Sequence, residues 1–247
     1  MPPRRGRRVR RGSTRRVVTV RKGEPWGEPA TGPSERHVEG DDAGFARWLA
    51  ARPDRPRVSW TPSPGADFPR AVGLGAPGAS LDLPCDAVWV VTPAGFERPD
   101  DRGRRGVLVV NMAVIGTPPD RVGWRARRAS VRVVVDGRAV HDGEATTVVV
   151  ANGEFLRGAD VVPRGHPGDG RIEVQVYDVA RRERRLLRAR IRTGEHLPHP
   201  RIRQASGRVV EVAIAGDGWP VELDGEPAIP AATLRAEVRP GAFVLVT

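Results

Sequence analysis

Thr147 to Tyr177 reads TVVVANGEFLRGADVVPRGHPGDGRIEVQVY, and both ends of this stretch are written as strands. Thr147 to Val150 is β-branched and apolar, the composition of a strand buried on both faces. At the far end Ile172, Val174 and Val176 alternate with Glu173 and Gln175, the period of a strand with one face covered. The residues between are rich in glycine and end in His166-Pro167-Gly168-Asp169-Gly170. A connection of that length in a compact domain is usually functional or disordered. Two paired strands around a long loop therefore set the expectation for the chain on either side.

Composition agrees with a β-rich fold. In 247 residues there are 29 glycines and 24 prolines but only 5% aromatics, so short strands punctuated by turns are expected. The length suffices for one large domain or two small ones. No run approaches the ~18 apolar residues of a membrane helix, and Val17 to Val20 is too short for a secretory signal core. Cys85 is the single cysteine, which excludes an intrachain disulfide and suits a reducing compartment, with the cytoplasm as the expected location. The formal charge of +11 is concentrated: residues 1–16 hold eight arginines and no acid, and without them the charge is +3. Such a tail can meet nucleic acid or anionic lipid by charge alone. A solvated extension without a partner is the simpler reading, and nucleic acid is the partner the rest of the chain supports least.

Taken in order, Val17 to Val20 reads as a strand, then a turn that sets Trp26 against the core. Ala43 to Arg52 places Phe45, Trp48 and Leu49 at helical spacing behind Asp41-Asp42, which act as cap and dipole partners. Arg57 to Thr61 is a strand. Asp86 to Thr92, Gly106 to Asn111 and Val131 to Val135 follow, the last joined to Arg138–His141 by an Asp136-Gly137 turn. The closing strands are Val209 to Ile214, Pro220 to Leu223, Leu234 to Val238 and Phe243 to Val246. Arg181 to Arg192 has seven arginines and one glutamate. It is either a basic surface facing a membrane, through Arg181, Arg182 and Arg185, or a solvated face with Leu186, Leu187 and Ile191 turned inward.

Asn152, Gly153, Gly158, Pro163, Asp169, Gly170, Ile172 and Val174 stand in an order that resembles the C-terminal domain of the diacylglycerol kinase and sphingosine kinase-type lipid kinases. Further matches are Asp67, Phe68, Arg70 and Gly73, then Asn111 and Gly116, then Gly194, His196, His199, Pro200 and Ile202, and the turn Asp224-Gly225-Glu226. The resemblance implies an α+β chain. A truncated α/β nucleotide-domain remnant, related to NAD kinase, would occupy residues 17–82, and an antiparallel β-sandwich residues 83–247. The last strand would return to the first part. The departure is upstream: the family's G-G-D-G-T phosphate loop has only Gly40-Asp41 at its place. Glycines there let backbone N–H groups approach phosphate.

The implied activity is ATP-dependent phosphorylation of a lipid hydroxyl with Mg²⁺. Glu226 would act as general base and Asp224 beside it, since such a base must reach the hydroxyl proton. The nucleotide side would fall to Gly27, Gly65 and Asp67. Asp169 matches a carboxylate that holds a structural metal, with the carbonyls of His166 and Arg171. Asp-Gly is equally a good hairpin turn, and Asp169 an ordinary turn residue. Two functions therefore stand side by side: a divergent lipid kinase, and a non-catalytic relative that binds lipid or a partner. The lost glycine loop favours the second. A homo-oligomer is compatible with both.

Overall fold

The structure, a computed structural model, describes residues 26–52, 54–74, 80–92, 98–99 and 105–247. The basic tail, the expected strand at 17–20 and Lys22 lie outside them. The first part holds β1 (Glu28–Pro29), β2 (Arg36–Gly40), α1 (Asp42–Ala50), β3 (Arg57–Pro62) and α2 (Phe68–Ala71). Next come β4 (Leu81–Val91), β5 (Arg98–Pro99), β6 (Arg105–Val109) and β7 (Met112–Gly116). The middle is β8 (Ala129–Val135), β9 (Arg138–Ala145), β10 (Thr147–Ala151), β11 (Phe155–Leu156), β12 (Ala159–Asp160) and β13 (Ile172–Tyr177). The chain closes with α3 (Arg184–Ile191), β14 (Ile202–Gly207), β15 (Val209–Ile214), β16 (Trp219–Leu223), β17 (Glu226–Ala231) and β18 (Thr233–Val246).

Two sheets face each other. One runs β5-β6-β4-β18-β15-β8-β9, with β1 on β4 and with β3 and then β2 beyond β18. The other runs β14-β13-β10-β7-β16-β17. Every ladder is antiparallel except the β2–β3 and β3–β18 pairs, which join the small α/β part to the last strand. The strands expected at the ends of the long loop, β10 and β13, pair directly, Thr147 opposite Tyr177.

Burial explains the sequence patterns. Between the sheets lies an aliphatic core that includes Val131, Val133, Ile115, Val148, Val150, Val174 and Val210. The outer face of the second sheet is covered in turn by α3 and the 155–162 segment, around Met112, Val149, Tyr177, Leu187 and Ile191. β7 and β10 are thus buried on both faces, which is why each reads as an unbroken apolar run. The α/β part has its own aromatic core, in which Phe45 stacks on Trp60 at 4.2 Å with Phe68 and Phe243 alongside.

The β4–β18 ladder serves both of the cores it touches. Val88 and Val90 of β4, with Leu234, Ala236 and Val238 of β18, enter the aliphatic core. Leu83, Cys85 and Ala87, with Phe243 and Leu245, enter the aromatic one. Even-numbered residues point one way and odd-numbered ones the other, so each half of the ladder presents a different face. The ladder slips between Arg239 and Phe243. There the Asp86 carboxylate accepts the Gly241 N–H at 2.8 Å and the Gly170 N–H at 2.6 Å, tying the bulge to the long loop.

Several expectations are corrected. Leu234 to Val238 and Phe243 to Val246 are one fourteen-residue strand, because the bulge bends it without breaking it. Residues 28–40, expected as a linker or loop, hold β1 and β2, and β5, β7, β11, β12, β14 and β17 were not expected either. Pro227 and Pro230 mark β17 as poor strand sequence, and it lies at the sheet edge where proline is tolerated. Leu186 does not turn inward: it is 54% exposed while Leu187 and Ile191 are buried.

Candidate functional site

The α/β part meets the sandwich through a buried knot of carboxylates and amides. Its first member follows from the start of α1. Asp41 is the N-cap and accepts the Gly44 N–H at 2.7 Å, as a residue before an amphipathic run should. Asp42, one position on, points inward instead. Its carboxylate accepts the N–H of Asp67 at 3.1 Å and of Phe68 at 3.1 and 3.2 Å, the two amides that open α2. Asn111 Nδ2 donates to the same carboxylate at 3.0 Å and to the Phe155 carbonyl at 3.0 Å.

The second member is Asp224. Its carboxylate accepts three backbone N–H groups at the β6–β7 corner, those of Val110, Asn111 and Met112, at 2.8 to 3.1 Å. Burial, and then the nearby Asp42 charge, push its carboxyl up to about 8. Burial likewise raises Asp42 to about 7, against the opposing pull of the Phe68 and Asp67 amides. Asp67 faces the other way and receives the N–H groups of Arg157 and Gly158, the latter at 2.8 Å, in the tight β11–β12 turn. Asn152 Nδ2 donates to the Val110 and Asp86 carbonyls at 2.7 and 2.9 Å. Gly153 is required there, because a Cβ would collide with the Asn111 side chain. The Asn152-Gly153 pair is therefore a fastener of the knot.

Beside the knot opens a cavity of about 350 Å³, walled by Ala43, Ala46 and Ala50 of α1, by Leu108, and by Leu223 and Ala228. Arg47 and Glu226 also line it, joined by an ion pair of 2.5 Å and both more than half exposed or at half exposure. Glu226 and Asp224 are two residues apart yet in opposite settings. Asp224 and Gly225 both carry positive φ, 49° and 84°, and form the two-residue turn between β16 and β17. This geometry favours Asp-Gly and sends one carboxylate into the knot and the other to the cavity.

The remaining expected residues are placed as follows. Gly27, at φ 102°, packs on β4, where a Cβ would meet Leu83 and the Asp82 carbonyl. Gly65 sits at φ 95° in the turn before α2, in open space. The contacts of Gly27 are thus with β4, whereas those of Asp67 are with α1 and the β11–β12 turn. Asp169 accepts the Arg171 N–H at 2.9 Å, the bond of a turn residue. His166 Nδ1 accepts the Gly168 N–H at 3.2 Å, its ring edge-on to Trp26, and the Arg171 guanidinium bonds Ser206. Among the described residues no group of three His, Cys, Asp or Glu side chains could hold a metal ion. His196 is buried against Tyr177.

Sequence reasoning missed Asp42, Asn111 as its donor, and the alanine face of α1. The signal was present: two consecutive aspartates stand at the start of α1, and a helix needs only one as cap. As for a nucleotide, the polar groups here do not fit it well. The amides of Asp67 and Phe68, the anion-binding N–H groups at the start of α2, already hold the Asp42 carboxylate.

The profile of the YegS C-terminal NAD kinase beta sandwich-like domain matches residues 122–247. A solved structure of a proposed diacylglycerol kinase from Bacillus anthracis str. Sterne superposes with a TM-score of 0.65 at 19% identity, over 85% of this chain and 76% of that one. A second, of a diacylglycerol kinase from the same organism, gives 0.61 at 17% identity, over 85% and 74%. The fold is theirs: a β-sandwich with a small α/β part, as the resemblance implied. No curated protein sequence matches the chain.

Proposed function

We propose, for a chain that belongs to the YegS C-terminal NAD kinase beta sandwich-like domain family, that it is a non-catalytic lipid-kinase relative which holds an amphipathic lipid in the α1 cavity. One observation carries this reading. The Asp42 carboxyl group already takes the amides of Asp67 and Phe68, so a phosphate arriving there would have to displace a buried side chain that is itself hydrogen-bonded. Phosphoryl transfer is mostly positioning and charge neutralisation, and a site whose backbone donors are already taken by its own side chain supplies neither to a phosphate. Asp224 supports the same reading: it is buried, and its carboxyl oxygens are engaged by three backbone N–H groups. The cavity keeps its use, since most of its lining is alanine, leucine, valine and proline, with Asp224, Arg47 and Glu226 as its charged members.

A second reading rests on Glu226. Its pair with Arg47 is surface-exposed, and such pairs contribute only about 0–1 kcal/mol, so the carboxylate is easily released to a lipid hydroxyl. The deciding experiment combines melting with and without Mg-ATP and a γ-phosphate transfer assay on diacylglycerol and a sphingoid base. The proposal expects no Mg-ATP-dependent rise in melting temperature and no labelled lipid. A rise together with turnover that is lost in Glu226→Gln would replace it with an active kinase that uses Glu226 as base.

A further inference from the structure

Trp124 and Leu186 are the exposed large hydrophobic side chains among the described residues, at 66% and 54% exposure, and both lie at α3. Their position is built. Arg184, 1% exposed, turns under the helix, and its Nη1 donates to the carbonyls of Gly123, Trp124 and Ala126 at 2.9 to 3.2 Å. That buried guanidinium fixes the loop carrying Trp124 against the N-terminal end of α3. Leu187 and Ile191 share the buried side with Arg184, which turns Leu186 outward. The Arg181 guanidinium lies 5.7 Å from the Trp124 ring centre.

Arginine surrounds the two apolar side chains. Arg125, Arg127, Arg181, Arg182, Arg185 and Arg188 are all exposed. The acids nearest in sequence are engaged: Asp120 by Arg157, Asp178 by Arg128 and Arg201, and Glu183 by Arg201 at 3.9 Å. The surface is therefore cationic with an aromatic and an aliphatic residue standing out of it.

The geometry points to an anionic phospholipid bilayer as the partner of this face. Interfacial helices combine a hydrophobic side chain that enters the headgroup region with arginines that meet lipid phosphates. Tryptophan favours that boundary because its ring is apolar and its N–H polar. Nucleic acid would use the arginines and could stack on Trp124, but it has no place for Leu186. The docking does not depend on whether the cleft transfers phosphate.

The test is co-sedimentation of the full chain with vesicles of phosphatidylcholine containing roughly one third phosphatidylglycerol, against pure phosphatidylcholine, in about 0.1 M salt. Wild type is expected to bind the anionic vesicles and not the neutral ones. Each arginine near such a surface weighs about five-fold, so the double change R181Q/R185Q should weaken binding by roughly 25-fold and flatten its salt dependence. Trp124→Ala and Leu186→Ser should each weaken binding by roughly ten-fold with the salt dependence kept. Trp124→Ala should also remove the blue shift of tryptophan emission on vesicle addition. All these side chains are exposed, so melting temperatures should stay at the wild-type value. Vesicle binding equal to wild type in both the arginine and the Trp124 variants would overturn the inference. So would a wild type that ignores the vesicles yet binds single-stranded RNA through the same arginines.

Discussion

Replacing Asp42 by asparagine should make this protein less sensitive to rising pH. The folded-state pKa of Asp42 is about 7 against an ordinary 3.8, chiefly because burial penalises the charged form. A raised folded pKa means that the native state keeps a proton the unfolded chain gives up. The stability linked to Asp42 is then fully present below the ordinary value and lost as pH climbs through about 7. The slope approaches about 1.4 kcal/mol per pH unit over that window, so about 2 kcal/mol disappears between roughly pH 5 and pH 7. For a chain of this size that corresponds to roughly 4–8 °C in melting temperature.

In the Asp42→Asn protein the amide oxygen can still accept from Asp67 and Phe68, and the side chain keeps its shape, so the fold should persist. The titration is gone, and the Asp224 carboxyl, partly raised by the Asp42 charge, should move down as well. Both changes flatten the profile. The assay is a series of calorimetric melts of both proteins across that pH window in matched ionic strength. Two curves that fall in parallel would refute the burial argument, because they would show that Asp42 titrates alike in the folded and unfolded chain.

Three further outcomes follow from the packing. Gly116→Ala should cost at least about 3 kcal/mol or prevent folding, since Gly116 has φ 89° and a Cβ would lie 2.5 Å from the Thr146 carbonyl and 2.7 Å from the Trp219 ring; expression and urea midpoints report it. Leu187→Ala should lose about 2–5 kcal/mol in urea unfolding by leaving a cavity under α3, whereas Leu186→Ser should stay within about 0.5 kcal/mol. Asp67→Ala should cost about 2 kcal/mol by stranding the N–H groups of Arg157 and Gly158, and hydrogen exchange at those two amides should accelerate.

Much of the sandwich could be read from the string because its strands carry their own period. β13 alternates, β10 is uniformly apolar, and Asp136-Gly137 adopts the positive φ values, 48° and 78°, that its hairpin needs. α1 was legible for the same reason, to within two residues at each end. What stayed hidden depends on contacts distant in sequence. β17 contains two prolines and is a strand because β16 offers it an edge. The unity of β18 depends on Asp86, more than a hundred and fifty residues earlier, accepting the Gly241 amide. Leu186 and Leu187 are the same residue type side by side, and only the helix phase set by Arg184 decides which one is buried.

The motif residues at the cleft show the same limit in a sharper form. Asp67, Asn152 and Asp224 could each be taken from the sequence as part of a reaction site, yet each bonds backbone groups instead: Asp67 ties the α/β part to the β11–β12 turn, while Asn152 and Asp224 brace the β6–β7 corner within the sandwich. A carboxylate that accepts three amides and one that waits at a cavity mouth are the same letter in a sequence. The Asp224-Gly225-Glu226 turn contains one of each. Its left-handed backbone separates them, so the turn can be kept for the buried aspartate alone, and its presence does not by itself argue for catalysis by Glu226. The converse also holds: exchanging Glu226 disturbs an exposed ion pair and leaves the knot intact. Stability and transfer activity can therefore be measured independently in Glu226→Gln, whereas in any variant of Asp224 a loss of activity would report first on the β6–β7 corner.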